Sequence, residues 1–182
     1  MDRRYVVVVA NGAFEHTDRL LEALDAADVI IAADGGANWL RAQGRRPDVL
    51  VGDMDSVSTD TMSFLERGRC RIVRHPAHKD ETDTELALIE AVSMGPTRIT
   101  ILGALGGRID HEIANILLLA MPQLADAEAM IYDGRSFVSL ASDTLTIFGQ
   151  VGDLVSLIPF GGDAEGIVTS GLEYPLRGDT LY

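Results

Sequence analysis

Short β-branched runs alternate with stretches of helical periodicity through the first two thirds of the chain, and few architectures accept that alternation. Tyr5–Ala10 is an unbroken apolar run, the mark of a strand buried on both faces. Thr17–Ala26 then carries Leu20, Leu21 and Leu24 at helical spacing, and Val29–Ala33 is a second strand. The pattern predicts a helix over Ala37–Gln43, a strand at Val49–Val51, a helix over Thr59–Arg67 and a strand at Arg71–Arg74. It continues with a helix over Thr84–Met94, ended by Gly95-Pro96, and a strand at Arg98–Leu102. A last helix over Ile109–Met121 is expected to turn Ile109, Ile113, Ile116, Leu117 and Ala120 inward. The fold class is therefore α/β, a parallel-type sheet with helices on both faces.

The rhythm changes near Pro122. Met130–Tyr132, Phe137–Leu140, Thr144–Phe148, Leu154–Pro159 and Ile167–Thr169 read as short strands separated by turn residues such as Asp133-Gly134 and Gly152-Asp153. A small antiparallel β domain is expected to follow, with the boundary between residues 125 and 126: an α/β domain over 1–125 and a β-rich domain over 126–182.

Composition removes several function classes. Fifteen Lys and Arg stand against 28 Asp and Glu, a net charge of −13, which disfavours nucleic acid and anionic membrane as partners. The longest apolar runs, Tyr5–Ala10 and Ile116–Met121, fall far short of the ~20 residues a membrane span needs. Cys70 is the single cysteine, so an internal disulfide and a cysteine-rich metal site are both excluded. The chain reads as a soluble, cytoplasmic protein.

In an open α/β sheet, ligands bind beyond the carboxyl ends of the strands. Here successive strands are followed by Asn11-Gly12, by Asp34-Gly35-Gly36-Ala37-Asn38, by Gly52-Asp53-Met54-Asp55-Ser56, by Lys79-Asp80-Glu81-Thr82-Asp83, and by Gly103 to His111. That topology brings Asp34, Asp53, Asp55, Asp80, Asp83 and Asp110 toward one rim. So many like charges demand a cation, and hard oxygen donors favour magnesium or calcium over zinc. Each motif also has a plain structural reading. Asp34 and Asp53–Ser56 serve as turns, Thr82-Asp83-Thr84-Glu85 is a capping box, and Arg108, His111 and Asn115 form a solvated helix stripe. Gly103–Gly107 is neither a Walker loop nor Gly-x-Gly-x-x-Gly, although amides beside a helix start can cradle phosphate. His16, His75 and His78 lack metal-ligand spacing and read as surface residues. What singles the motifs out is their joint placement after consecutive strands.

That series, with Pro47-Asp48, Lys79-Asp80-x-Thr82-Asp83-x-Glu85 and Gly103-x-x-Gly106-Gly107-Arg108-x-Asp110-His111-x-x-x-Asn115, resembles the thiamin pyrophosphokinase family over roughly residues 5–120. Thr169-Ser170-Gly171-Leu172-Glu173-Tyr174-Pro175-Leu176 resembles the family's β domain. The resemblance implies a catalytic α/β domain, a thiamin-binding and dimerisation β domain, and transfer of a pyrophosphoryl group from ATP to thiamin, giving thiamin diphosphate and AMP. It implies Mg2+ as cofactor, ATP as co-substrate, and a homodimer with shared sites. By similarity Asp53, Asp55, Asp80 and Asp83 hold magnesium, and Asp34, Gly35, Asn38, Lys79, Thr82, Arg108, His111 and Asn115 hold or orient the nucleotide. Asp110 is the candidate that assists the thiamin hydroxyl, alongside Asp53, Asp55 and Asp80 in the catalytic set. The family pattern continues past Tyr-Pro-Leu through a Ser-Asn segment and a last strand, so the β domain is expected to be incomplete at Tyr182.

Three alternatives compete. A related pyrophosphokinase would act on another alcohol, such as a pterin. A nucleotide-sugar transferase would explain Asp53-x-Asp55 but not the Lys79–Glu85 or Gly103–Asn115 motifs. A catalytically silent nucleotide- or thiamin-binding module has less need of so crowded a carboxylate rim.

Overall fold

A computed structural model describes residues 4–182. The chain divides into two compact units between Ala141 and Ser142. The first holds β1 (Tyr5–Val9), α1 (Thr17–Asp25), β2 (Val29–Ala33), α2 (Gly36–Ala42), β3 (Val49–Gly52), α3 (Thr59–Glu66) and β4 (Arg71–Arg74). It continues with α4 (Asp83–Ser93), β5 (Arg98–Leu102), α5 (Ile109–Leu118), a 3₁₀ turn at Pro122–Leu124, β6 (Glu128–Tyr132) and β7 (Phe137–Ser139). Its seven strands lie in the order β4-β3-β2-β1-β5-β6-β7, all parallel except the β6–β7 pair. The chain steps outward from β1 to β4 and then returns to β5, so the direction of winding switches between β1 and β5.

The two-residue period of the strands sorts their side chains onto two faces. Val7, Val9, Ala32 and Leu50 pack with Leu20 and Leu24 of α1, Ala37 and Leu40 of α2, and Leu65 of α3. Val6, Val8, Ile31, Val49, Val51, Ile99 and Ile101 pack with Leu86, Ala87 and Leu88 of α4. Val6, Val7, Val8 and Val9 are all 0 % exposed, as an unbroken apolar run demands.

Two expectations are corrected here. β6 and β7 belong to the seven-stranded sheet, because β6 pairs in parallel with β5 and β7 pairs with β6, so the divide falls later than residue 125. Most of the expected inward face of α5 points outward: Ile109, Ile113, Leu117 and Ala120 are exposed, Ile116 packs against the core as expected, and Asn115 is buried, its Nδ2 donating to the Ala104 carbonyl over 2.8 Å. Ala104 is buried, so its carbonyl needs a donor inside the protein, and Asn115 turned inward supplies it.

The second unit, Ser142–Tyr182, contains β8 (Ala164–Val168) and β9 (Arg177–Leu181), paired antiparallel with an irregular register. Thr144–Phe148 and Leu154–Pro159 do not form strands, contrary to their sequence pattern, and they leave Phe148 and Leu154 almost fully exposed. A strand exists only where a neighbour accepts its backbone hydrogen bonds, whatever its propensity. Among the described residues no helix is long and apolar enough to cross a membrane.

Candidate active site

The rim at the carboxyl ends of β2 and β3 is built by backbone first. Asp34 ends β2 with φ of 42° and Met54 follows β3 with φ of 73°, both in the left-handed region that costs a non-glycine residue energy. Asp34 is anchored there by its N–H to the Val51 carbonyl at 2.8 Å. Gly52 keeps the space between: a Cβ on it would lie 3.0 Å from Asp34 Cβ and 3.1 Å from Asp83 Oδ1. Asp83 arrives from the start of α4, whose N-cap Thr82 accepts from the Glu85 N–H at 3.1 Å.

One oxygen each of Asp34, Asp53 and Asp83 lies within 4.8 Å of the other two. Asp34 is 4 % exposed, and its Oδ2 accepts a 3.3 Å hydrogen bond from the Ser56 N–H while Oδ1 has no hydrogen-bond partner among the described residues. Burial pushes its pKa up, the Ser56 hydrogen bond opposes this, and repulsion from Asp83 and Asp55 adds to the rise. Lys79 Nζ stands 2.9 Å from Asp83 Oδ1 and 3.9 Å from Asp53 Oδ2. The approach to Asp83 Oδ1 is an ion pair outside hydrogen-bond geometry, and this buried oxygen has no hydrogen-bond partner among the described residues. Desolvation works against the Lys79 charge, but Asp83, Asp53 and Asp34 outweigh it and hold the ammonium pKa up.

The other expected residues fall around this triangle in different ways. Asp55 is exposed and accepts from Ser56 Oγ at 2.8 Å, while its own N–H donates to Asp53 Oδ1 at 3.0 Å. Asp80 is exposed. Asn38 is occupied by the loop after β3: its Nδ2 donates to the Ser56 carbonyl at 2.8 Å and its Oδ1 accepts from the Ser58 N–H at 3.0 Å. Gly35 leaves room for Asn11, whose amide atoms would lie within 2.4–2.6 Å of a Cβ there.

The loop after β5 is laced to the loop after β1. Gly12 N–H donates to the Gly103 carbonyl at 2.7 Å, and Ala13 N–H to the Leu105 carbonyl at 2.8 Å. A Cβ on Gly12 would sit 2.4 Å from that Gly103 oxygen, so the lacing requires glycine. Asn115 holds the same loop from below through Ala104. Beyond it, Arg108 Nη2 donates to Asp110 Oδ2 at 2.5 Å in an exposed pair, and the Arg108 guanidinium keeps the Asp110 carboxyl below the usual range. His111 is exposed, its N–H on Asp110 Oδ1 at 3.1 Å.

The resemblance gives Asp34 a nucleotide role in addition to its place on the acidic rim, and the positive φ shared by Asp34 and Met54 was not expected. Asp34-Gly35-Gly36 directly after an apolar strand was the available signal for a carboxylate held at a turn.

Comparison with known proteins identifies relatives of the chain. Residues 20–131 match the family described as thiamin pyrophosphokinase, catalytic domain, and residues 143–182 match thiamin pyrophosphokinase, vitamin B1 binding domain. The chain is 28% identical to thiamine pyrophosphokinase of Bacillus subtilis over 172 residues, covering 93% of this chain and 80% of that one. It is 30% identical to thiamine pyrophosphokinase 3 of Oryza sativa subsp. japonica over 183 residues, covering 86% and 68%. The solved structure of the Bacillus subtilis enzyme superimposes with a TM-score of 0.84 at 26% identity, covering 98% of this chain and 84% of that chain. A seven-stranded, mostly parallel sheet with an acidic rim, matched over 20–131 by the catalytic domain, places this chain in the thiamin pyrophosphokinase family.

Proposed function

We propose that the protein is a thiamin diphosphokinase that transfers the pyrophosphoryl group of ATP to thiamin, giving thiamin diphosphate and AMP, with magnesium as cofactor. The observation that carries this reading is the Asp34–Asp53–Asp83 triangle with its two oxygens lacking hydrogen-bond partners, in a chain of this family. A buried carboxylate oxygen without a hydrogen bond, such as Asp34 Oδ1, is costly, and an all-oxygen donor set suits a hard divalent ion. The ion would be held by Asp53 and Asp83 with Asp55 and Asp80 at the margin, and Asp34 joins them through its free Oδ1. When bound, magnesium neutralises charge on the polyphosphate.

In the transfer, the thiamin hydroxyl oxygen bonds to the β-phosphorus, and the bond from that phosphorus to the oxygen bridging to the α-phosphate breaks. AMP leaves with the bonding pair, and the hydroxyl proton passes to a base. Asp110 is that base in our reading. Arg108 now holds its carboxylate and lowers its basicity. When Arg108 turns to the phosphates, Asp110 regains its affinity for a proton. Lys79 adds a second cation to the phosphates, while Gly35 and His111 contact the nucleotide. Asn38, Thr82 and Asn115 act through the backbone they pin. The Ser142–Tyr182 unit contributes thiamin binding, in keeping with its family match.

We further propose a homodimer. Ile109, Ile113 and Leu117, at 69%, 52% and 49% exposure, form an apolar stripe on α5 that a second copy would cover. Sedimentation velocity giving a monomer at micromolar concentration overturns this.

Incubation with ATP, Mg2+ and thiamin tests the main reading. AMP and thiamin diphosphate should form one to one. Accumulation of ADP with thiamin monophosphate would overturn it.

A further inference from the structure

Lys79 is the only lysine in the chain; the other fourteen basic residues are arginines. That one ammonium lies against the acidic triangle, 2.9 Å from Asp83 Oδ1 and 3.9 Å from Asp53 Oδ2, with its side chain 11% exposed. The residue types matter. An ammonium is a compact point charge on a flexible four-carbon stem, whereas a guanidinium is a planar fork suited to bidentate pairing. Only the former can stand in for a spherical cation among carboxylates and then swing away.

The substitution is incomplete. Three carboxylates face one positive charge, and Asp34 Oδ1 still has no hydrogen-bond partner. A divalent ion entering the triangle needs the oxygens that Lys79 now neutralises, and two positive charges at such separations repel strongly.

We propose that Lys79 is a resident counter-ion that couples metal entry to polyphosphate entry: a divalent cation displaces its ammonium from Asp83 and Asp53, and a polyphosphate group receives it. This deepens, and rests on, the metal-dependent reading above. Metal alone must eject the ammonium without giving it a new partner. Polyphosphate alone must draw it away and leave three carboxylates beside an added anion. Each ligand therefore binds weakly by itself and strengthens the other, and linkage requires the two effects to be equal.

A lone lysine makes the test direct. Pulse acetylation of the full chain, read by mass spectrometry at Lys79 with the terminal amine as internal reference, reports whether the ammonium is engaged. In chelator, labelling should be slow. With Mg2+ alone it should accelerate by about fivefold or more, and with Mg2+ plus tripolyphosphate it should slow again. In parallel, Mn2+ alone should bind Lys79→Met about tenfold more tightly than the natural chain by paramagnetic resonance titration. Lys79→Gln, which keeps a polar end, should show the same gain if Lys79→Met folds poorly. Bound Mn2+ with Mg2+-independent labelling, or with no gain in either variant, overturns the role of Lys79 alone. Absence of Mn2+ binding in all three chains overturns both this proposal and the metal-dependent reading.

Discussion

The two rims that face the carboxyl ends of the sheet are held by opposite means. Around β2 and β3, Asp34 is 4% exposed, two residues sit at positive φ and two carboxylate oxygens lack hydrogen-bond partners. After β5, the charged residues Arg108 and Asp110 are exposed and satisfy one another at 2.5 Å, on a loop laced by backbone hydrogen bonds to its neighbour. The first rim is preorganised at a cost in stability, and the second is stable as it stands and free to rearrange. A site that binds a hard ion needs fixed oxygens, whereas groups that follow a moving phosphate must be able to change partners.

The largest effect that would break this contrast is chemical. Asp34→Asn should lower kcat at least ~100-fold, as expected when a group that stabilises transferring charge is lost. The same change should raise Tm by roughly 2–4 °C, about 1 kcal/mol at this size, because it removes a buried, repelled carboxylate. Retained activity, or a lowered Tm, shows that the first rim is not strained for function. Asp53→Asn should likewise fold and lose turnover; near-normal activity at saturating Mg2+ returns Gly52–Ser56 to an ordinary turn.

A smaller effect separates the backbones of the two rims. Gly52 has φ of 145° and no room for a Cβ beside Asp34 and Asp83, so Gly52→Ala should cost about 1–3 kcal/mol in urea unfolding. Gly107 has nothing within 4 Å of a Cβ, and Gly107→Ala should stay within ~0.5 kcal/mol. Equal costs would show that both loops are equally constrained.

The pH dependence of stability in chelator should differ in sign. Burial holds Asp34 above the ordinary carboxylate value of about 3.9, so the native state keeps a proton that the unfolded chain has released. Its contribution to stability therefore falls as pH rises from about 4 through the native pKa, and Asp34→Asn should remove that fall. Asp110 is shifted the other way by Arg108. Its contribution is present above about 3.9 and is lost as pH drops through the lower native value, with a small amplitude because the pair is exposed. Denaturant midpoints of Asp34→Asn and Asp110→Asn beside the natural chain, between about pH 3 and about pH 7 to span the carboxylate range, decide the signs.

The smallest effect lies away from both rims. Burial, then the charge of Asp48, pushes the Cys70 thiol up to about 11. Iodoacetamide at neutral pH should modify it far more slowly in the native protein than in urea. Equal rates would mean that Cys70 does not feel its surroundings.

Much of the molecule was legible in the sequence because its physics is local. β1 and β2 lie where apolar runs placed them, β4 and β5 lie where short strands were expected between helices, and Asp34, Asp53 and Lys79 follow the strands expected to carry them to the rim. The α5 face was not legible. Its apolar and polar stripes were both visible, but choosing between them required knowing that the Ala104 carbonyl lies within reach of Asn115. The strand patterns at 144–148 and 154–159 misled for a related reason, since propensity describes a willingness to pair and says nothing of whether a partner exists.

The sequence by itself determined the alternation that yields a parallel sheet, the turn residues after each strand, and a charge balance that leaves acidic groups needing cations. These follow from periodicity, steric preference and composition, which each segment carries alone. Only the tertiary structure decided that Asp34, Asp53 and Asp83 share a triangle while Asp55 and Asp80 remain exposed, that β6 and β7 extend the large sheet, and that the one lysine rests among the carboxylates. Those outcomes depend on distances between residues far apart in the chain, set by strand order and packing that no local pattern encodes.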